Sequence, residues 1–309
     1  MKILFMGTPD FAVKSLAKLH EDGYEISAVF TQEDRIRGRG NKLSPSPVKT
    51  MSNELGLKVY HPRSLKSDET IELVKKINPD IIVVVAYGKI LPKEILDIPP
   101  HGCVNIHASL LPKYRGAAPI QWAIINGEKE TGVTSMLMDV GMDTGDILLS
   151  RKTPIAEDET SADLFIRLAD LGADLLIETI KAMQKGVLEP KIQDESQATY
   201  APMLDKSMCE IDWEMSAQQI NNLIRGLSPF FCACSKLDGK RVRFIESEVS
   251  ESACDLDAGE IICKDGSLIV ACGNDSALEI KMLQAEGKKA MDSEAYLLGN
   301  KIEEGNKFE

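Results

Sequence analysis

The sequence predicts an α/β protein in two parts. An open, mostly parallel sheet with helices on both faces comes first, and a smaller C-terminal β-barrel of the oligonucleotide-binding type follows. Three observations predict this. Short apolar strands alternate with amphipathic helices through the first part of the chain. The run Ile81 to Tyr87 is apolar at every position, as in strands buried on both faces. Beyond residue 230, five short β segments succeed one another at close spacing, with Asp-Gly turns among them. At 309 residues the chain exceeds the size at which a single core keeps growing. Two domains are therefore expected, over 1–189 and 208–309, with a linker at 190–207.

Taken in order, Lys2 to Met6 reads as a strand. Thr8 is placed to cap the helix that follows, with Pro9 at its first position and Asp10 in its first turn. Phe11, Val13, Leu16, Ala17 and Leu19 keep helical spacing up to Gly23. Ile26 to Phe30 is the second strand. A helix from about Ser46 to Leu55 stops at Gly56, and the strand Lys58 to His61 comes next. Ser67 caps a helix carrying Ile71, Leu73, Val74 and Ile77, which ends before Pro79. Strands Asp80 to Ala86 and Cys103 to His107 precede a helix over Ala118 to Asn126. Thr131 to Met138 and Ile147 to Pro154 are β-rich. The longest helix begins at Thr160, with Leu164, Ile166, Leu168, Leu171, Leu175, Leu176 and Ile180 on its apolar side, and closes near Gly186. Glu189 to Lys206 is polar and without period. Ser216-Ala-Gln-Gln219 forms a capping box for a helix through Arg225. The β segments are Phe230 to Leu237, Arg241 to Ser247, Glu260 to Cys263, Leu268 to Cys272 and Leu278 to Leu283. Asp238-Gly239 and Asp265-Gly266 signal hairpins, and Ser293 to Leu298 is a final helix.

Composition is that of an ordinary soluble protein, 43% hydrophobic and 27% charged. Gly7 and Pro9 break the opening apolar run, so no signal peptide is expected. No apolar run has the length of a bilayer span. The seven cysteines are scattered and hold no C-x-x-C, which predicts reduced thiols in a cytoplasmic protein and no metal site. Cys209 and Cys254 are expected to be exposed. A formal charge of −12 argues against indiscriminate nucleic-acid binding by the whole molecule. Between Gln32 and Val48, however, Arg35, Arg37, Arg39 and Lys42 are interleaved with Gly38 and Gly40. That segment is a local basic loop.

The chemistry-bearing residues gather at strand ends. Asn105 and His107 sit two apart on a strand, so they face the same way. An amide and an imidazole can both hydrogen-bond a carbonyl oxygen, and the imidazole can carry a proton. The loop Tyr87-Gly88-Lys89-Ile90-Leu91-Pro92 follows another strand end. In Asp139-Val-Gly-Met-Asp-Thr-Gly-Asp146 the glycines allow close backbone approach and the carboxylates can orient an imidazole or cap turns. The Gly7-Thr-Pro-Asp-Phe11 turn lacks G-x-G-x-x-G and P-loop patterns are absent, so a nucleotide cofactor is not expected. Of the four histidines, only His107 has a polar partner at strand spacing.

Three segments carry a resemblance: Asn105-x-His107-x-Ser-Leu-Leu-Pro112, Tyr114-Arg-Gly-Ala-Ala-Pro119, and Asp139-x-Gly-x-Asp143-Thr-Gly-Asp146. Together they resemble the signature of formyltransferases that use 10-formyltetrahydrofolate. Met6-Gly-Thr-Pro-Asp-Phe11, Gly38-Arg-Gly40, Val85-Ala-Tyr-Gly88, Ile211-Asp-Trp213 and Gly287-Lys-Lys-x-Met291 extend the likeness over nearly the whole chain. The resemblance implies a Rossmann-like formyltransferase fold and a catalytic set of Asn105, His107 and Asp143. It places the folate against Ser109, Leu110, Leu111 and Pro112, with Tyr87, Gly88, Leu91, Asp139 and Val140 beside them. It assigns Arg35, Arg37, Arg39 and Lys42 to tRNA. After Pro229 the family usually shows a Pro-Gly pair and an aromatic, where this chain has Phe230-Phe-Cys-Ala-Cys234.

The implied reaction needs no covalent enzyme intermediate. An α-amino group, with a pKa near ~8, is a nucleophile in its own right. Asn105 and His107 would stabilise the negative charge that grows on the formyl oxygen, worth roughly 3–4 kcal/mol per donor in comparable sites. Asp143 would hold the imidazole and help to remove the amine's proton. The expected partners are the folate co-substrate and methionyl initiator tRNA, with no metal, no membrane and a monomeric chain. A formyltransferase acting on a nucleotide amino-sugar, a 10-formyltetrahydrofolate hydrolase and a non-catalytic folate or tRNA binder are the alternatives.

Overall fold

The computed structural model describes residues 1–37, 42–250, 256–264, 266–303 and 305–309. The chain opens with β1 (Lys2–Gly7), α1 (Asp10–Glu21) and β2 (Glu25–Phe30), then the short hairpin β3 (Arg35–Arg37) and β4 (Lys42–Ser44). Next come α2 (Pro47–Glu54), β5 (Val59–Tyr60), α3 (Asp68–Ile77), β6 (Ile81–Val85), α4 (Lys93–Leu96), β7 (Cys103–His107) and β8 (Arg115–Gly116). They are followed by α5 (Pro119–Ile125), β9 (Glu130–Leu137), β10 (Ile147–Pro154), α6 (Ser161–Gln184), β11 (Tyr200–Ala201) and α7 (Ala217–Leu227). The rest is β12 (Ala233–Leu237), β13 (Lys240–Ser250), β14 (Ile261–Lys264), β15 (Ser267–Cys272), β16 (Ser276–Ala285), β17 (Met291–Asp292) and α8 (Ser293–Gly299).

The expected α/β sheet has seven strands in the order β10-β9-β7-β6-β1-β2-β5. Neighbours from β5 through β7 run parallel, and β9 is antiparallel to β7. Val74 of α3 and Ile95 of α4 pack on one face against Leu4, Met6, Ile82 and Val84. On the other face, a Cβ on Gly172 of α6 would stand 3.0 Å from Ile106 Cγ2, a tight contact that glycine avoids as the helix lies close to β7. Strand order runs outward from β1 toward β5, then restarts at β6 toward the other edge. The switch between β1 and β6 is where such sheets bind ligands, at the strands' carboxyl ends.

Thr8 departs from expectation at that switch. Its hydroxyl donates to Tyr87 O at 3.0 Å, across to the end of β6, and Pro9 takes the N-cap position of α1 without a side-chain cap. A bond between two strand ends has displaced a local one. Ser67 and Ser216 do cap their helices, the latter in the full reciprocal box with Gln219.

Grouped by contacts, the chain forms two compact units that interleave in sequence. The first holds 1–117, 131–153 and 165–201, and the second holds 118–130, 154–164 and 202–309. The expected boundaries follow the chain in blocks. The observed grouping instead gives residues 190–201 to the first unit and α5 to the second.

The second unit is built on a six-stranded antiparallel sheet, β12-β13-β16-β15-β14, with β17 paired to β16. Asp238 and Gly239 turn the first hairpin with φ of 51° and 71°, the left-handed pair that a tight two-residue turn requires. Phe230 and Phe231, expected to open β12, lie outside it and are exposed. The final residues complete the ring. Phe308 N donates to Gly259 O and Ile261 N to Asn306 O beside β14, while Glu309 N donates to Lys236 O on β12. Phe308 is 1% exposed, its ring 5.6 Å from Trp213 and 5.1 Å from Phe244. Phe308→Ala is expected to destabilise this unit by about 3–5 kcal/mol, the cost of deleting a buried aromatic. Denaturant titration followed by tryptophan fluorescence checks it, since Trp213 reports directly.

Candidate active site

Strand parity builds the site. Cys103, Asn105 and His107 share one face of β7, while Ile106 turns to α6. Asn105 and His107 are both buried, opposite Met136 and Thr134 of β9. Burial pushes the Cys103 thiol up to about 12, which leaves it no nucleophile.

His107 Nε2 lies 2.9 Å from Tyr114 O. A carbonyl can only accept, so Nε2 carries hydrogen and donates, and Nδ1 is the ring's second proton site. His107 Nδ1 stands 3.7 Å from Asp143 Oδ2. That spacing is beyond a hydrogen bond. The imidazole is therefore held by the Tyr114 carbonyl, and Asp143 faces its free nitrogen across a short gap. Asp143 Oδ2 accepts from Gly116 N at 2.8 Å. Tyr114 and Asp143 have φ of 61° and 56°, left-handed backbone that costs a non-glycine residue roughly 1–2 kcal/mol. Such strain persists only where surrounding bonds enforce it.

Those bonds come from residues 191–201. Tyr114 N donates to Thr199 Oγ1, Arg115 N to Thr199 O, and Ala117 N to Ala201 O, each at 2.9 Å. The short β8–β11 pair forms here, and a Cβ on Gly116 would stand 2.7 Å from Ala201 O. Arg115 is 0% exposed and ion-paired to Glu195 at 2.7 Å. The bond to Glu195 raises the guanidinium pKa above its ordinary value, and the bond from Arg115 lowers the Glu195 carboxyl. Sequence reading passed over Arg115, Gln193 and Glu195. A buried arginine needs partners, but nothing local in residues 190–207 marks which ones it takes.

The other expected residues fall as follows. Ser109 Oγ donates to Lys113 O at 2.6 Å, and Thr134 Oγ1 donates to Ser109 O at 2.7 Å, so this loop is braced from β9. Leu111 is buried, and Leu110 and Pro112 are half-buried. Tyr87 and Leu91 sink into the apolar cluster with Leu4, Phe30 and Ile82. The Tyr87 hydroxyl is buried without a partner among the described residues. Gln32 Nε2 holds the same turn, at 2.9 Å from Tyr87 O and 3.3 Å from Gly88 O. Asp139 Oδ1 accepts from Gly141 N and Thr144 Oγ1, which makes it a turn cap, and Val140 is 69% exposed.

Arg35 and Arg37 pair with Ser44 and Lys42 in the β3–β4 hairpin, and Arg35 donates to Gln32 at its base. Arg39 lies outside the described residues, as does Cys254. Cys209 is buried, against expectation, because a bridge from Glu210 to Cys234 of β12 tucks it into the second core. Among the described residues, no three His, Cys, Asp or Glu side chains are grouped to hold a metal ion.

The fold is an α/β sheet whose candidate site lies at the carboxyl edge of its strands. A family described as formyl transferase matches residues 1–180, and its C-terminal domain matches residues 203–301. The chain belongs to the formyl transferase family. It is 51% identical over 306 residues to a methionyl-tRNA formyltransferase of Caldanaerobacter subterraneus subsp. tengcongensis, covering 99% of each chain. It is 49% identical to one of Alkaliphilus metalliredigens, covering 99% of this chain and 97% of the other. Among solved structures, a sugar 3N-formyl transferase with dTDP and 5-N-formyl-THF superposes with a TM-score of 0.70 at 18% identity, covering 94% of this chain and 99% of that one. HypX from Aquifex aeolicus in complex with tetrahydrofolic acid gives 0.65 at 19%, covering 96% of this chain and 47% of that one.

Proposed function

We propose that the protein transfers the formyl group of 10-formyltetrahydrofolate to the α-amino group of methionyl initiator tRNA, marking it for translation initiation. The observation that carries this reading is the meeting of His107 Nδ1 and Asp143 Oδ2 at 3.7 Å beside Asn105, at the sheet's carboxyl edge. End-to-end likeness to proteins named methionyl-tRNA formyltransferase supports the choice of acceptor.

Ser109, Leu110, Leu111 and Pro112 would hold the folate, with Tyr87, Gly88, Leu91, Asp139 and Val140 around it. The residues present match such a guest in chemistry: Leu91 and Leu111 are apolar, and the Tyr87 hydroxyl is buried without a partner among the described residues. Bound there, the folate supplies an activated formyl carbon. The acceptor amine is its own nucleophile, so the protein's work is to place and stabilise charge. The Asn105 amide and a protonated His107 Nδ1 offer donors for the oxygen on which negative charge grows. Asp143 Oδ2, anchored by Gly116 N, faces the same space and can take the proton that the amine releases and return it to the departing nitrogen as the bond from that nitrogen to the formyl carbon breaks.

For the tRNA, two basic surfaces support the reading. The β3–β4 hairpin carries Arg35, Arg37 and Lys42; Arg39 falls between them in sequence, outside the described residues. On β12 and β13, Lys236 stands directly opposite Arg241, and Arg243 shares that exposed face. Like charges placed opposite one another destabilise a sheet, and a phosphate backbone would relieve them. Arg37→Ala with Arg39→Ala is expected to raise KM for tRNA about tenfold and to reduce the salt slope of binding by about 2. Folate affinity should stay unchanged. Initial rates across a salt series check this.

The proposal extends to a monomeric, cytoplasmic enzyme; no helix among the described residues is long and apolar enough to cross a membrane. Its direct test offers 10-formyltetrahydrofolate with charged initiator tRNA, with a nucleotide amino-sugar, or with water alone. Release of tetrahydrofolate in the first case only is the expected result. Release with the sugar, or with neither acceptor present, would replace this reading by an amino-sugar formyltransferase or a hydrolase.

A further inference from the structure

We infer that Gln193 is a positioning residue for formyl transfer, holding Asp143 in its working place through the backbone; this rests on the reading just given. The side chain is 5% exposed and its hydrogen-bonding capacity is fully used. Nε2 donates to Asp143 O at 2.8 Å and to Gly145 O at 2.7 Å. Oε1 accepts from Arg115 Nε at 3.1 Å and from its second terminal nitrogen at 2.8 Å. Two donors and two lone pairs are each matched. A flipped amide would set oxygen against two carbonyls and NH2 against a guanidinium, so one orientation is fixed.

Asp143 needs this support because its φ of 56° is left-handed. Its carbonyl is gripped by Gln193 and its carboxylate by Gly116 N, which fixes the residue from both ends. Gly116 and Tyr114 take their own positions from Thr199 and Ala201, ten residues or fewer along the same stretch as Gln193. Tyr114 O in turn anchors His107 Nε2. One surface-running segment thus sets both sides of the gap between Nδ1 and Oδ2. Arg115 makes the grip unequivocal: fully buried, it reads Gln193 with one edge and Glu195 with the other.

Gln193→Glu tests this while leaving Arg115 an acceptor. It removes both donors to the 143–145 turn. The expected result is a kcat lower by about 50-fold, with KM for folate and for charged tRNA within threefold of wild type. Introduced into Asp143→Asn, the same change should lower kcat by less than about threefold, since no carboxylate is left to place. A merely structural loss would multiply in full. Gln193→Met, which removes the amide without adding charge, serves as the second variant and should show the same non-additivity. Wild-type formylation of charged tRNA in the same assay secures the reading beneath the inference, and its absence would sink that reading instead. With wild type active, kcat of Gln193→Glu within threefold of it, or full multiplication with Asp143→Asn in both variants, overturns the role given to Gln193.

Discussion

Asp143→Asn is expected to lower kcat by about two to three orders of magnitude while leaving folate affinity near that of wild type. The substitution is nearly isosteric, and an amide oxygen can still accept from Gly116 N, so the turn keeps its shape. What disappears is the negative charge opposite His107 Nδ1 and a carboxylate able to take up a proton there. An interaction used chiefly at the transition state shows in kcat, and substrate binding is largely spared. Steady-state release of tetrahydrofolate, paired with equilibrium binding of a folate, separates the two. Near-normal turnover would remove Asp143 from the chemistry.

Arg115→Met is expected to abolish measurable turnover and to destabilise the first unit by about 2–4 kcal/mol. Methionine fills much of the volume, so the loss is mainly of hydrogen bonds. Gln193 Oε1 would be buried without its donors, and Glu195, 68% exposed as a side chain, would turn to water. The pair also predicts a pH effect. The Glu195 carboxyl is held below its ordinary value by the bond from Arg115. Its contribution is therefore complete above the ordinary Glu range near ~4.3 and fades as pH falls through the lower folded value. Thermal melts of wild type and Arg115→Met between neutral and acid pH should converge on the acid side. A constant difference in melting temperature across that range would count against the pair.

The parts of the molecule legible in the sequence are those written within a few residues. Asn105 and His107 face together because strands have period two, and Ser67 and Ser216 sit where local capping chemistry puts them. The buried run at β6 and the turn at Asp238-Gly239 are equally local. What escaped was decided at distance. Arg115 meets Gln193 across 78 positions, and Thr8 gives its hydroxyl to Tyr87 across 79. Residues 190–201 have no hydrophobic period because their work is done by polar side chains and backbone amides, which leave no rhythm in composition. Phe230 and Phe231 have strand-forming side chains, yet Cys232 with φ of 57° breaks the extended backbone just before β12 begins. Asp139 and Asp143 occupy one glycine-rich loop, and only the geometry separates the turn cap from the carboxylate that faces His107.

The interleaving of the two units limits how this protein can be rebuilt. Exchanging its second unit for a relative's takes five splices, at 117–118, 130–131, 153–154, 164–165 and 201–202. A chimaera joined once, near residue 202, would mate one parent's α5 with the other's α7. There Gly226 leaves so little room that a Cβ would sit 2.6 Å from Ile125 Cγ1. Parents differing at either residue would yield hybrids that fail by steric mismatch at that helix pair, with every group around His107 intact.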